Sequence, residues 1–368
     1  MNSLLSSITY GGDPRVYYIG NNGHVYEYAW HSSDSTWHNK DVTAEAGGQP
    51  AVDGSAFTSI NDGFDNIYVY YFGNNNHVYE LANEGWVGGS WVGGSWHSRD
   101  VTAYSGGQPA LSISSLSSTT NYTPFNRHVY YLGKNYHVYE YAWHSSDSTW
   151  HNSDVTVDSG GQPTLSISLL SSITYVGDPR VYYIGNNYHV YEYAWHSSDR
   201  TWHNRDVTVD SGGQPALPAS PLSSITYVGD PRVYYYGNNG HVYEYAWHSS
   251  DSTWHNRDVT VDSGGQPAEN FRELSSITYR ENPRVYYFGD NSHVYEYAWH
   301  SSDSTWHNRD VTVDSGGQPA VRYKLSSIIY GGDPRVYYIG NNYHVYEYAW
   351  HSSNSTWHNR DVTADTVK

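Results

Sequence analysis

Cysteine is absent from the 368-residue chain, so neither a disulfide framework nor a thiolate-based zinc or redox site can form. Basic residues are scarce as well: 19 Lys and Arg stand against 37 Asp and Glu, which gives a formal net charge of -18. A charge of that sign repels the phosphate backbone of nucleic acids. We therefore expect no nucleic-acid partner.

Long apolar runs are also missing. The sequence nowhere contains the roughly 20 consecutive apolar residues that a membrane-spanning helix needs. The first residues, MNSLLSSITY, lack the basic segment and the apolar stretch of a signal peptide. We expect a soluble protein without membrane insertion, either cytoplasmic or released by an unconventional route.

Phenylalanine is rare, with 6 copies, whereas tyrosine and tryptophan are abundant, with 40 and 15 copies. Tyrosine and tryptophan combine a large apolar ring with a polar atom, which suits a half-hydrated binding surface better than a dry core. The composition therefore favours a protein with aromatic binding faces.

A repeated unit accounts for nearly the whole sequence. Its clearest marker is the histidine that opens each HVYE segment, found at His24, His77, His137, His189, His241, His293 and His344. Units that cannot bury a face alone stack into one body. We therefore expect a single domain of seven units, at approximately residues 1–48, 49–107, 108–161, 162–213, 214–265, 266–317 and 318–368.

Each unit is predicted to form four short strands. The small, Ser-rich LSSITY suits an inner strand, RVYYIG and HVYEYAW form a hairpin, WHNRDVT is the outer strand, and GGQPA is a flexible link. Seven such units predict an all-β, seven-bladed β-propeller of four-stranded antiparallel blades. An open solenoid would need polar capping repeats, which the first and last units do not provide. We expect the ring to close without strand exchange, by face packing of blade 7 on blade 1.

The hairpin turn decides which side chains share a face. Only its third position is Asn in all seven units, for example Asn22 and Asn187. A three-residue loop needs one left-handed residue, and we assign that conformation to the Asn. This choice gives the loop Gly20 to Asn22 and places Arg15 directly opposite Glu27. The pair is then either part of a binding site or a structural salt bridge.

The order of polar and aromatic residues resembles the fucose-binding β-propeller lectins of fungi and bacteria, most closely their seven-bladed members. The matching residues are an Arg at a strand start, a Glu in the next strand and a Trp three residues later, as in Arg180, Glu192 and Trp195, followed by Trp202. The resemblance implies that Arg and Glu bind the hydroxyls and ring oxygen of a sugar. A Trp pair from the neighbouring blade would pack on its apolar face, so that each site lies between blades.

Residue by residue, the resemblance predicts four strong sugar sites and up to three weaker ones. The strong sites are Arg180 and Glu192 with Trp247 and Trp254; Arg232 and Glu244 with Trp299 and Trp306; Arg284 and Glu296 with Trp350 and Trp357; and Arg335 and Glu347 with Trp30 and Trp37. The weaker sites are Arg15 and Glu27 with Trp96, Glu80 with Trp143 and Trp150, and Glu140 with Trp195 and Trp202. They are incomplete because Tyr68 and His128 replace Arg and Asn83 replaces a Trp.

The implied function is a multivalent, non-catalytic lectin whose partners are glycans or glycoproteins, with fucosylated glycans favoured. Oligomerisation is left open. The alternative is a propeller scaffold for protein–protein interaction. An enzyme is not expected, because every acid is copied around the ring whereas glycoside hydrolysis needs one distinct carboxylate pair.

Histidines recur at seven-residue intervals, as in His189, His196 and His203. We expect them on different strands and turns, without a carboxylate at ligand spacing. The sequence therefore predicts no metal site and no cofactor.

Overall fold

Seven four-stranded antiparallel sheets form a ring in the computed structural model, which describes residues 5–63, 66–87, 90–112, 114–122, 125–268 and 272–367. The predicted seven-bladed β-propeller is confirmed. Within each blade the strands are ordered outward from the axis as they occur in the chain. Among the described residues, the helices are single turns, and none is long or apolar enough to cross a membrane.

The first three blades consist of β1 (Leu5–Tyr10), β2 (Asp13–Ile19), β3 (Val25–His31) and β4 (Thr36–Asp41); β5 (Phe57–Asn61), β6 (Ile67–Phe72), β7 (Val78–Val87) and β8 (Ser90–Asp100); and β9 (Leu116–Tyr122), β10 (Phe125–Leu132), β11 (Val138–His144) and β12 (Thr149–Asp154). Blades 4 and 5 consist of β13 (Ser171–Tyr175), β14 (Asp178–Ile184), β15 (Val190–His196) and β16 (Thr201–Asp206); and β17 (Ser223–Tyr227), β18 (Asp230–Tyr236), β19 (Val242–His248) and β20 (Thr253–Asp258). Blades 6 and 7 consist of β21 (Ser275–Tyr279), β22 (Asn282–Phe288), β23 (Val294–His300) and β24 (Thr305–Asp310); and β25 (Ala320–Tyr330), β26 (Asp333–Gly340), β27 (Val345–His351) and β28 (Thr356–Asp361).

Hydroxyl side chains join the inner strands around the axis. Seven contacts of 2.7–2.9 Å link neighbouring blades: Ser6–Ser59, Thr58–Ser118, Ser117–Ser172, Ser171–Ser224, Ser223–Ser276, Ser275–Ser327 and Ser7–Ser326. Only small side chains let the strands approach this closely where the blades converge. This is the physical reason for the Ser-rich inner strands.

Each junction between blades has its own apolar core. Between blades 4 and 5, Tyr245 reaches back into blade 4 and donates a hydrogen bond of 2.6 Å to the carbonyl of Gln214. A Cβ at Gly213 would lie 2.4 Å from the Tyr245 ring. The second Gly of GGQPA is therefore required by the close approach of the next blade, and not only as a flexible link.

The last junction closes the ring. Tyr28 and Trp37 of blade 1 pack with Tyr337 and Ile339 of blade 7, which is the expected face packing. In addition, a two-residue strand, β29 (Thr366–Val367), pairs in parallel with β4 and adds a fifth strand to blade 1. The sequence pattern does not indicate this added strand.

The outer strands are shorter than predicted. Each ends at the Asp that precedes Val-Thr, so Val and Thr lie outside the strand. The following residues form one-turn helices: α1 (Val42–Glu45), α2 (Val101–Ser105), α3 (Val155–Asp158), α4 (Val207–Ser211), α5 (Val259–Ser263) and α6 (Val311–Asp314). In blade 4, Asp206 Oδ1 accepts a hydrogen bond from the Val209 backbone and so caps the helix. Its Oδ2 lies 2.8 Å from His189 Nδ1, and all seven blades repeat this contact. The His of HVYE therefore has a structural role, because it joins the hairpin turn to the end of the outer strand.

The observed hairpin turn gives the second and third strands of each blade a register different from the predicted one. The loop closes between Gly20 and His24, and its left-handed residue is Gly23, with φ 77°, one position after the Asn. Asn22 is invariant for another reason: its Oδ1 accepts a hydrogen bond from the His24 backbone and its Nδ2 donates to the Tyr26 hydroxyl, each at 3.1 Å. The three-residue loop was therefore displaced by one position in the prediction.

As a consequence, Arg15 lies opposite Ala29, and Glu27 lies opposite Tyr17. The prediction that Arg15 directly faces Glu27 was wrong. Because the displacement along the partner strand is two residues, it preserves the face, since side chains alternate with a period of two. Arg15 and Glu27 are diagonal neighbours on one side of the blade.

Three tyrosines adopt the left-handed loop conformation, with φ 62–64°: Tyr136, Tyr188 and Tyr343. We expect Tyr188→Gly to be more stable than Tyr188→Ala by about 1 kcal/mol, because a Cβ is unfavourable at this φ. Gly already occupies this position in Gly23 and Gly240. Urea unfolding of the two variants, which lack the same side chain, measures the difference. Equal stabilities would contradict the left-handed assignment.

Candidate functional site

Side chains of two blades meet in a cavity of about 240 Å³ between blades 4 and 5. Arg180 and Glu192 come from β14 and β15, and Trp247 and Trp254 come from β19 and β20 of the next blade. The structure therefore brings together all four residues of this predicted site. It places the Trp pair on the following blade, as the sequence analysis expected.

At two of the other three predicted strong sites, the predicted residues also line a cavity between blades. Cavities of about 600 and 360 Å³ lie at the junctions of blades 6 and 7 and of blades 7 and 1. They are lined by Arg284, Glu296 and Trp350, and by Arg335, Glu347, Trp30 and Trp37, respectively. Trp357 instead packs edge-on against Tyr286 in the core. Between blades 5 and 6, Arg232 lies 3.7 Å from Glu244, Trp306 packs against Tyr234, and Trp299 contacts Arg257.

The Arg and Glu of the predicted site between blades 5 and 6 are anchored by other groups. Arg232 donates hydrogen bonds from Nη1 to the carbonyls of Trp247, at 2.6 Å, and Pro231, at 3.0 Å. Glu244 accepts one from the Tyr234 hydroxyl at 2.8 Å. The shortest nitrogen–oxygen distance between Arg and Glu is 3.6–3.9 Å in five blades, longer than a charge-assisted hydrogen bond. Both groups therefore keep capacity for a ligand, since a guanidinium has five donors and a carboxylate about four acceptor positions.

Burial raises the pKa of several of the glutamates at these junctions. It raises the pKa of Glu244 above the usual value, and the facing Arg232 opposes this only in part. The same cause raises the pKa of Glu27, Glu296 and Glu347. A buried carboxylate of this kind is stabilised by additional hydrogen-bond donors, which a polyhydroxylated ligand supplies.

The two tryptophans of each pair differ in exposure, which the sequence analysis did not anticipate. Trp254 is 4% exposed and packs edge-on against Tyr182, with ring centroids 6.2 Å apart. Trp247 is half-buried. The first tryptophan therefore offers an aromatic face to a ligand, and the second mainly belongs to the junction core.

Two further positions at these junctions were not predicted from the sequence. The Arg of WHNRD stacks on the first Trp of the next blade at 4.6–5.1 Å, in the pairs Arg205–Trp247, Arg257–Trp299, Arg309–Trp350 and Arg360–Trp30. The first Tyr of RVYY holds the Glu, as Tyr234 does. Alternation places this Tyr two residues from the Arg and on the same face, so the strand pattern could have identified it.

The junction between blades 2 and 3 is filled by the chain itself. The Arg127 guanidinium lies 3.8 Å from the Tyr68 ring centroid and 4.9 and 5.4 Å from those of Trp143 and Trp150. It also pairs with Glu80 at 3.5 Å, and Arg127 is only 5% exposed. Glu80 and the two tryptophans are thus brought together, but the Arg127 guanidinium occupies the space between them.

The remaining two weaker sites differ from each other. Between blades 3 and 4, His128 lies 2.8 Å from Glu140, and Trp195 and Trp202 line the same cavity of about 960 Å³. Burial favours a raised pKa for Glu140, but the hydrogen bond and charge of His128 hold that pKa below its usual value.

Between blades 1 and 2, Arg15 and Glu27 lie 3.9 Å apart. Trp96 is buried against Tyr17, and Asn83 stands opposite Trp96 where the other blades have their first Trp. Among the side chains that the structure describes at this junction, no Trp takes the place of the half-exposed first Trp of the predicted strong sites.

No protein-family model and no curated protein matches this chain. Among solved structures, AofleA from Arthrobotrys oligospora is similar, with 17% identity and a TM-score of 0.55 over 83% of this chain and 86% of that chain. The fucose-binding Aleuria aurantia lectin, a six-bladed propeller, has 18% identity and a TM-score of 0.56 over 84% and 96% of the chains. The BP39L lectin from Burkholderia pseudomallei has 12% identity and a TM-score of 0.70 over 97% and 98%.

At these identities the likeness shows the fold. A six-bladed ring leaves one blade of this chain without a counterpart, which accounts for the smaller coverage by the Aleuria aurantia lectin. The Burkholderia pseudomallei lectin matches this chain over nearly its full length.

Proposed function

We propose that the protein is a multivalent, non-catalytic lectin that binds fucosylated glycans at the junctions between blades. One observation carries the proposal: at four junctions an Arg and a Glu that are not hydrogen-bonded to each other face a tryptophan of the next blade. Vicinal hydroxyls fit a donor beside an acceptor, and the apolar face of a sugar ring fits an aromatic plane. Fucose adds a methyl group for the tryptophan.

Similar solved structures support the choice of sugar. One is described as fucose-specific and others are bound to α-methyl fucoside, on the same kind of propeller. The repetition of each carboxylate around the ring supports binding over catalysis, because catalysis needs only one site.

The junctions are expected to differ in affinity. The four that combine Arg and Glu with a half-exposed Trp are the strong sites. The junctions of blades 1 and 2 and of blades 3 and 4 are weaker, because Asn83 replaces the first Trp at the former and His128 replaces Arg at the latter. The junction of blades 2 and 3 binds no sugar, since Arg127 fills it.

A glycan array with L-fucose as competitor tests the proposal. Fucosylated glycans should be retained and then released by L-fucose. L-Galactose has the same ring hydroxyls but a hydroxymethyl group in place of the methyl, so it should compete less well. Failure to bind any glycan, or retention that no sugar reduces, would favour the protein-scaffold alternative.

A further inference from the structure

Among the described residues, five blades contain a group of two histidines and one aspartate at the turn between the third and fourth strands, which we call the rim triad. The rim triads are His31, Asp34 and His38; His144, Asp147 and His151; His196, Asp199 and His203; His248, Asp251 and His255; and His300, Asp303 and His307. Within each, three potential ligand atoms lie within 4.8 Å of one another. The expectation that no carboxylate lies near these histidines was therefore wrong.

Strand pairing assembles the rim triad. His196 pairs with Thr201, and Ala194 pairs with His203, so the two histidines are diagonal neighbours on one face. Their ring centroids are 4.2 Å apart. Asp199 lies in the connecting turn, and its Oδ2 is 2.9 Å from His203 Nε2. The third histidine of the series lies at the far end of the hairpin, where Asp206 binds it.

The contacts of Asp199 leave one oxygen for a metal ion. Its Oδ1 accepts hydrogen bonds from the backbone and the hydroxyl of Thr201, at 3.1 and 2.7 Å. Its Oδ2 lies 2.9 Å from His203 Nε2, which is also 3.0 Å from the Thr201 hydroxyl. A cation can bind between Nε2 and Oδ2 when the ring carries its proton on Nδ1. The two hydrogen bonds that Oδ1 accepts from Thr201 would be retained.

We propose that each rim triad is a binding site for a divalent transition-metal ion of the zinc class. Two imidazole nitrogens and one carboxylate oxygen form a donor set that suits Zn²⁺ and leave a fourth position for water. Ligand atoms about 2.0–2.2 Å from a tetrahedral zinc ion lie about 3.4 Å apart. Small rotations of half-exposed side chains produce this spacing from the observed one.

Several of the rim triads lie at the cavities between blades. His196 and His203 line the same cavity as Arg180 and Glu192, at the junction of blades 4 and 5. His300 and His307 do so at the junction of blades 6 and 7. The ion would lie at the rim of these cavities. The inference does not depend on the proposed sugar binding, because it rests on the triad alone.

Blade 7 provides a natural comparison, because Asn354 replaces the aspartate between His351 and His358. There the two rings are inclined by 68°, with centroids 4.6 Å apart, whereas the five rim triads have angles of 25–32°. Asn354 still accepts a hydrogen bond from the Thr356 hydroxyl at 2.7 Å. An asparagine therefore preserves the turn while it removes the charged ligand.

Calorimetric titration of the full chain with Zn²⁺, in the absence of sugar, tests the inference. The expected stoichiometry is five ions per chain, one for each rim triad. Asp199→Asn should remove one ion, and Asn354→Asp should add one. Asp210→Asn is the matched control, because it removes an equal charge from the same blade at an exposed ion pair with Arg205 and should leave five sites.

Two outcomes would overturn the inference. One is the absence of Zn²⁺ binding. The other is a stoichiometry that neither Asp199→Asn nor Asn354→Asp changes, since the histidines would then bind the ion without the aspartate. Visible absorption of the Co²⁺-substituted protein, with bands typical of tetrahedral coordination, is the independent readout. Thermal unfolding of Asp199→Asn should match the unsubstituted protein, because Asn354 shows that the turn tolerates the amide.

Discussion

Replacing Arg180, Arg232, Arg284 and Arg335 together by alanine is expected to weaken retention on a fucosylated surface by a factor of about 10²–10⁴. Each guanidinium supplies the donors of one strong site, and simultaneous engagement of several sites on one rigid ring produces the avidity. Surface plasmon resonance on a densely fucosylated chip measures the effect.

A stepwise series separates loss of binding from loss of fold. Each single Arg→Ala variant should lose one site in calorimetric titration with methyl α-L-fucoside and should keep the rest. Lys134→Ala is the control, because it removes an exposed positive charge from a hairpin turn away from the cavities. Undiminished retention after all four replacements, with the ring still folded, would exclude these arginines as ligand contacts.

Trp254→Ala is expected to lower the free energy of unfolding by about 3–5 kcal/mol, because the side chain is buried in the junction core and its removal leaves a cavity. Trp247→Ala should cost less than about 1.5 kcal/mol, because the half-buried side chain leaves no closed cavity when it is removed. Denaturant unfolding of both variants measures the two values.

The same pair of variants should differ in binding. Trp247→Ala is expected to lose the site between blades 4 and 5 while the other sites keep their affinity. The result that contradicts the assignment is a larger stability loss from Trp247→Ala than from Trp254→Ala, because it would place the core tryptophan at the wrong position of the pair.

The fold was predictable because its information is local and repeated. A unit of alternating side chains with a hairpin turn can only bury its faces against copies of itself, and seven copies with small inner residues form a closed ring. The shared face of Arg15 and Glu27 was also predictable, although their direct pairing was not. A register error of two residues leaves strand alternation unchanged. The two side chains therefore lie on the predicted face, although the turn was assigned wrongly.

Other features depended on distances that no repeat pattern contains. Arg127 is adjacent to His128 in sequence, yet its side chain crosses to blade 2 and fills the junction there. Asp199 lies in a turn, and only the diagonal approach of His196 and His203 shows that it completes a cluster. The different exposure of Trp247 and Trp254 likewise follows from the packing of one blade on the next.

Strand alternation and the period of the repeat specified the blade, the number of blades and the polar residues on each face, because these depend on neighbours along one strand or hairpin. The tertiary structure determined which side chains occupy each junction between blades. These side chains come from two units that are far apart in sequence, so whether a junction holds an open cavity, a buried tryptophan or an arginine of the chain itself depends on how the two faces pack.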